Sequence, residues 1–457
     1  ALAILAQASV ALVHSAGRFC VSARSPRPLS SRRHATSFDR SERTDGCLVS
    51  RRRGLRRQDR CLRGAWQASQ RRSREHVRHR CRQRTALEKE VTAVMELSER
   101  QACDVALLIT GGFSPLTGFM SEADYKGVVS DMKTTAGVLF GMPVVLDVRD
   151  TGYKGKKVLL KYKGTGMAVM DVVDVYKPNK VKEAAECYGT SSTEHPTVQE
   201  LFETLGKYYA AGEVHGLIED FEGIWGPGFK SPAAVRATLP AGKPVVAFQN
   251  RNPVHKAHFE LLVAAQEDVK DSVMFVHPTC GPTQPGDIDG AARIKTYEVM
   301  QDEPFYKKWA GDKWRWSYLP YSMKMAGPRE AIQHMIIRKN FGATHFIIGR
   351  DMAGTKSTLT SKDFYGAFDA QENGKKHEGE LFMKVVSYEN MVYVGEEHGN
   401  ARGYATESAA KASNLKIAKL SGTEFRKRLR SGEEIPEWFA FPAVVKVLRE
   451  GGDAIFL

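Results

Sequence analysis

KPVVAFQNRNPVHKAHFELLVAAQEDV, residues 243–269, joins an unbroken apolar run, Val245–Phe248, to a polar loop and then to a helix-forming segment. Four apolar residues in a row, bounded by Pro244 and a turn-rich stretch, predict a strand buried on both faces, the kind a parallel sheet uses. Pro253 ends strand pairing, and a helix is expected over 258–269, with His255 and His258, three apart, sharing one face of its first turn. Downstream the same alternation repeats: SVMFVHP, a helix over 291–301, PREAIQHMIIRKNFG, THFIIGR and NMVYVG. Alternating strands and helices predict a parallel sheet covered by helices, a Rossmann-like α/β domain whose ligand crevice lies at the strand C-termini.

Working outward, Pro227, Gly228, Pro232, Pro240 and Gly242 punctuate the chain before this domain and set its boundary near 230. Residues 231–395 are assigned to it. Upstream, MPVVLDV (142–148), KVLLKYK (157–163) and MAVMDVVDVY (167–176) are strand-like runs separated by Gly and charged turns, so 86–230 reads as a β-rich domain with added helices, one of them running on from ALEKEV to the paired Gly111 and Gly112. Residues 396–457, with SGTEFRKRLRSG and IPEWFAFPAVVKVLRE, read as a small helical domain.

Charge is distributed unevenly over the 457 residues. The first 85 hold 21 Arg, no Lys and five acids, a net of +16; of the 67 basic and 53 acidic residues in all, the other 372 positions keep 46 and 48, a net of −2. The folded body is near neutral, which argues against a nucleic-acid partner. An Arg- and Ser-rich, acid-poor leader with no apolar periodicity is expected to be a transit peptide, disordered and directed to the plastid stroma, with the mitochondrion as second choice. The apolar run 1–13 ahead of Ser15 and Ala16 also fits a signal segment placed before it. That run is too short to span a bilayer, and no membrane association is expected. Cys103, Cys187 and Cys280 in the body form no CxxC pair, so neither a zinc ribbon nor a disulfide framework is supported.

The loop QNRNPVHKAH, Gln249 to His258, offers a neutral amide, the planar fork of Arg251, Asn252 and two imidazoles at a helix N-terminus, where unpaired N–H groups and a partial positive charge favour anions. It contains donors and no carboxylate, which suits charge moving onto a leaving phosphate better than deprotonation of a hydroxyl. HxxH alone could equally be a zinc pair or two surface histidines. GRDMAG, Gly349 to Gly354, stands at the end of another expected strand, so Arg350 emerges at the same sheet edge and Ala353 and Gly354 admit close backbone approach. In LSGTEFRKRLRSG, Ser421 or Thr423 caps a helix, a third anion-favouring terminus. No GxxxxGK[ST] occurs and no GxGxxG follows a strand, which sets aside P-loop kinases and dinucleotide oxidoreductases.

Together these segments resemble the ATP sulfurylase (sulfate adenylyltransferase) family, in the form without a kinase-like extension. QNRNPVHKAH is similar to its QxRNPxHxxH, GRDMAG to its GRDxAG and SGTEFRKRL to its SGTxxR, with support from GGFSPLTGFM, HPTV, HPTCGPTQPGDID and MAGPREA. The chain departs at Met352, often His or Pro in the family, and at Met325, often aromatic. The resemblance implies a PUA-like, β-barrel-like N-terminal domain, a Rossmann-like nucleotidylyltransferase domain and a small C-terminal domain that helps close the site. It implies ATP and sulfate giving adenosine 5′-phosphosulfate and pyrophosphate, the first step of sulfate assimilation. Catalytic roles fall on Arg251, Asn252, His255, His258 and Arg350. Sulfate is held by Gln249, Arg251 and the backbone at Ala353; ATP is held by Gln249, Asn252, His255, His258, Gly349, Arg350, Asp351, Ser421 and Thr423. Mg2+ is carried with ATP rather than by protein ligands, and a homo-oligomer is expected. The rival readings are another HxxH adenylyltransferase and a non-catalytic nucleotide- or anion-binding homologue.

Overall fold

The computed structural model describes residues 87–456 except 220 and 227, and the leader lies outside the described residues. The first half is built on a six-stranded sheet. Its strands are β1 (Ala93–Glu96), β2 (Gly118–Phe119), β3 (Leu146–Val148), β4 (Lys157–Tyr162), β5 (Thr165–Tyr176) and β6 (Tyr208–Gly216), ordered β1-β4-β5-β6-β2 with β3 also on β6. All pairs are antiparallel except β1 with β4. Lys163 and Gly164, both at positive φ, make the two-residue turn between β4 and β5, the backbone handedness that matches strand twist.

The expected continuous helix from residue 86 to Gly111 is instead strand β1 followed by helix α1 (Glu99–Thr110). Ser98 stops any helix from running through: its side chain accepts from Gln101 N–H while Gln101 accepts from Ser98 N–H, and Gly111 ends the helix in the left-handed region. Helices α2 (Glu122–Asp131), α3 (Lys180–Tyr188) and α4 (Pro196–Glu203) complete this half.

In the second half, β7 (Val245–Phe248), β8 (Val273–Val276), β9 (Trp314–Trp316), β10 (His345–Ile348) and β11 (Lys384–Ser387) form a sheet in the order β11-β10-β7-β8-β9, every pair parallel. β7 and β8 are buried at every residue, as continuous apolar runs require. Helices α5 (Lys256–Asp268), α6 (Gly290–Asp302), α7 (Gly327–Asn340) and α8 (Asp369–Lys376) run between or beside these strands. In chain order the sheet reads 3-2-1-4-5, so its connections reverse direction between β7 and β10. A crevice opens there, beyond their C-terminal ends.

Three expectations are corrected here. NMVYVG is not a sheet strand: Met391–Tyr393 (β12) pairs antiparallel with Tyr404–Thr406 (β13) as a separate ribbon. That ribbon crosses the boundary drawn at 395/396, so the C-terminal domain does not begin with a clean break. The fifth sheet position is taken by KVVS of β11 and the far edge by WRW of β9, segments too short and mixed to show an apolar run. The expected charged helix is present as α9 (Gly422–Ser431), PAVVKVLRE lies in α10 (Pro442–Gly451), and a short helix not expected from sequence, Glu407–Ala412, precedes them.

Candidate active site

The loops leaving β7 and β10 meet at one cavity of about 690 Å³. It is lined by Gln249, Arg251, Asn252, His255, His258, Gly349, Arg350, Asp351, Ala353 and Ser421, ten of the eleven positions proposed from sequence; of the Thr423 side chain nothing is described. Placement follows from the fold. Strands β7 and β10 are neighbours in register, so their C-terminal loops emerge side by side.

Helix α5 starts at Lys256, two residues earlier than expected, because His255 is extended at φ −131 and serves as its N-cap. The two imidazoles therefore stack, with ring centroids 3.7 Å apart, and His255 stacks in turn on Phe439, 5.5 Å away. His258 Nδ1 accepts from the Asn250 amide at 3.3 Å and from His255 N–H at 3.4 Å, so the proton of the neutral ring sits on Nε2. Burial pushes the His255 ring down to about 4; burial and then the neighbouring His255 hold His258 well below the usual range. At pH 7 the free site presents two neutral N–H donors rather than two cations.

Asn250 is what the sequence reading left out of its own motif. It is nearly buried, donates to Tyr297 Oη at 2.8 Å as well as to His258, and accepts from Asn252 N–H, so it orients three elements of the loop. Its placement inside QNRNP was the available signal. The loop itself holds no carboxylate, yet the folded site does bring carboxylates in. Asp287 bonds Arg251 Nη1 at 2.9 Å, and Asp351 pairs with Arg350 at 2.9 Å. Asp287 arrives from the loop before α6, 36 positions away in sequence, which no spacing rule connects to Arg251.

The GRDMAG loop has left-handed backbone at Asp351 (φ 56) and Ala353 (φ 53). Non-Gly residues adopt this at a cost and cluster where a ligand must be met. Gly354 N–H bonds Asp351 O, and Ala353 O accepts from Gly327 N–H at 3.0 Å, so the loop is tied to the start of α7. Met325, just before α7, is buried and also left-handed (φ 55), with its sulfur 3.3 Å from Arg251 Nη1. The opposite wall comes from the C-terminal part: Trp438 stacks on Tyr393 at 5.6 Å, Tyr404 Oη donates to Trp438 O, and Lys256 N–H donates to Phe439 O. Ser421 caps α9 by accepting from Glu424 N–H at 3.1 Å.

Among the described residues no group of three His, Cys, Asp or Glu side chains is arranged to hold a metal, and no helix is long and apolar enough to cross a membrane. Cys103, Cys187 and Cys280 are buried free thiols.

Residues 229–451 match the ATP-sulfurylase family and residues 69–219 match the PUA-like domain. Sulfate adenylyltransferase of Phaeosphaeria nodorum is 42% identical over 382 residues, covering 81% of this chain and 64% of that protein. Those of Saccharomyces cerevisiae (40% identical; 78% of this chain, 69% of that one) and Candida albicans (37%; 81% and 72%) are similar. The chain spans just under two thirds of the length of the first of these relatives. A solved structure titled hexameric APS kinase from Thiobacillus denitrificans shares the fold at TM-score 0.61, with 24% identity over 81% of this chain and 65% of that one. With a PUA-like half, a switch-point cavity holding the QNRNPVHKAH and GRDMAG loops, and relatives of that name along most of its length, the chain belongs to the sulfate adenylyltransferase family.

Proposed function

We propose that this protein is a sulfate adenylyltransferase, joining ATP and sulfate into adenosine 5′-phosphosulfate with release of pyrophosphate. The observation that carries the reading is the meeting of Arg251, Arg350 and two neutral imidazoles at one switch-point cavity, at the N-terminus of α5. Two anions that repel each other must be brought together, and the catalytic task is orientation and charge compensation.

Arg251 and Gln249 hold sulfate, with the strained backbone at Ala353 on its other side. Asn252, His255, His258 and Arg350 hold the triphosphate, aided by the positive end of α5. A sulfate oxygen attacks the α-phosphorus in line. The bond from that phosphorus to the bridging oxygen breaks, and the electron pair leaves on pyrophosphate. Sulfate is already a dianion at neutral pH, so no proton is removed and no general base is required; of the carboxylates at the site, Asp287 and Asp351 pair with arginines, Glu389 accepts from Ser408 and Glu407 pairs with Lys411. Neutral imidazole N–H groups donate to the α-phosphate and to the departing oxygen as charge develops. Mg2+ belongs to the substrate, riding on the phosphates of ATP, a role that fits a cavity whose donor set is arginine, amide and imidazole.

Sulfate-dependent pyrophosphate release from ATP tests the reading, with ATP formation from adenosine 5′-phosphosulfate and pyrophosphate as the reverse control. Nucleotide binding without either reaction would favour a non-catalytic homologue. The Arg-rich composition of residues 1–85 supports a plastid transit segment, tested by where a fluorescent fusion of that segment accumulates.

A further inference from the structure

Arg251 is held before any substrate arrives, and the way it is held selects which of its edges can receive an oxyanion. A guanidinium has five N–H donors in a fixed plane. Nη1 donates to Asp287 Oδ2 at 2.9 Å and lies 3.3 Å from Met325 Sδ, while Nη2 donates to Gly354 O at 3.2 Å. Among the described residues this leaves the Nε–H and the second Nη2 hydrogen. With Nη1 engaged, the end of the fork cannot offer a parallel pair, whereas on the Nε–Nη2 edge of a guanidinium one hydrogen of each nitrogen lies parallel, the spacing that two oxygens of a tetrahedral oxyanion accept.

The loop that carries Asp287 is itself fixed. Asp287 N–H donates to Gln284 O, and Thr355 Oγ1 donates to Gln284 Oε1 at 2.7 Å, which ties this loop to the one after β10. Behind it the fully buried Arg293 donates to Thr279 O at 2.8 Å and to Ile288 O, and Asp289 caps α6 on Ala291 and Ala292 N–H. A carboxylate beside an anion site opposes anion binding by its charge, so a solvated ion pair would be a poor element there. This pair is mostly buried, with side chains 21% and 13% exposed. A long, rotamer-rich side chain must otherwise be immobilised by the ligand that binds it.

Resting on the functional reading above, we propose that Asp287 is a positioning residue for sulfate: it occupies Nη1 of Arg251 so that the Nε–Nη2 edge, and not the end of the fork, faces the substrate. Asp287 makes no contact with sulfate itself.

The test is steady-state pyrophosphate release by wild type, Asp287→Asn, Arg251→Lys and the double variant, with KM measured separately for sulfate and for ATP. The expected result is a rise of at least fivefold in the KM for sulfate in Asp287→Asn, with the KM for ATP within twofold. In the Arg251→Lys background, where no planar fork exists to be oriented, the same substitution should change the sulfate KM less than twofold. An unchanged sulfate KM in Asp287→Asn, or an equal effect in the lysine background, would overturn the proposal. If Asp287→Asn does not fold, Asp287→Glu keeps the charge on a longer arm; it should give a smaller rise in the sulfate KM, and a wild-type value would overturn the proposal. A wild type with no sulfate-dependent turnover overturns the functional reading, and the proposal with it.

Discussion

Arg350 and Met352 stand two positions apart in the same strained loop and do different things. On the proposed function Arg350 brings a cation to the point where two anions meet, whereas a thioether has neither charge nor a strong hydrogen bond, and Met352 packs against the core while lining the cavity. Met352→His is expected to leave kcat within about threefold, under ~0.7 kcal/mol of barrier. Arg350→Ala should remove most turnover, and a reversed outcome in steady-state assays would mean that the nucleotide does not lie along this loop. The stacked imidazoles give a pH signature. In the unfolded chain each ring takes up its proton near 6.5, but in the fold His255 does so only near 4 and His258 well below its usual range. The unfolded state therefore binds more protons in that window, and stability falls as pH drops from 6.5 towards 4. His255→Asn should flatten the dependence of Tm on pH across it; an unchanged slope would show that the ring is not neutral in the fold. Bound triphosphate acts in the other direction, since its negative charge favours the imidazolium, so ATP binding near pH 5 should take up protons, measurable by calorimetry in two buffers of different ionisation heat.

At the scale of elements, the turn into α7 is built around Glu330. Its carboxylate is fully buried and accepts from Lys324 N–H at 2.7 Å and Ala326 N–H at 3.0 Å, the two residues that flank left-handed Met325. Glu330→Ala leaves both N–H groups buried and unpaired, a cost of roughly 1–3 kcal/mol for each. The expected outcome is a lower denaturation midpoint together with weaker sulfate binding, because the Met325 sulfur rests on Arg251; loss of stability with an unchanged sulfate KM would separate the turn from the site. What the sequence disclosed at this scale depended on how each element declares itself. VVAF and VMFV are buried on both faces, so a run of apolar residues was enough, and the loops at their ends followed. WRW and KVVS lie at the sheet edges, where half of the strand faces outward and packing rather than pattern fixes the pairing. Asn250 and Asp287 act through partners distant in sequence, and no local period connects Asp287 with Arg251. The helix carried too far back from Gly111 shows the complementary failure: helix propensity in ALEKEVTAVME yielded to the pairing of Ala93–Glu96 with β4.

Across the whole molecule, the PUA-like half is linked to the candidate active site through His195, by way of Met325 and Arg251. This ring belongs to the first half, as the N-cap of α4, and its Nδ1 accepts from Thr197 N–H at 3.2 Å and Val198 N–H at 3.4 Å. Nδ1 being an acceptor, the proton lies on Nε2, 3.0 Å from Met325 O and 3.1 Å from Tyr365 Oη, which in turn donates to Tyr188 O. Burial keeps the ring neutral, pushing it down to about 4, and it is enclosed by Tyr188 and Phe364 at 5.2 and 4.9 Å. One imidazole thus caps a helix of the first half and fixes the carbonyl of the residue whose sulfur lies on Arg251 in the second. His195→Ala removes the cap, leaves Met325 O unpaired in a dry environment and opens a void among aromatic rings, and losses of this kind together cost about 2–4 kcal/mol. His195→Gln restores a donor at similar reach without the ring, so it should recover part of the stability. If the first half only supports the fold, both variants will lower the urea midpoint while the folded fraction keeps its wild-type KM for sulfate. If it braces the site, as the bond to Met325 implies, His195→Ala will raise the sulfate KM several-fold under conditions where it is fully folded, the KM for ATP will hold, and Tyr365→Phe, which spares the His195–Met325 bond, will leave both near wild type.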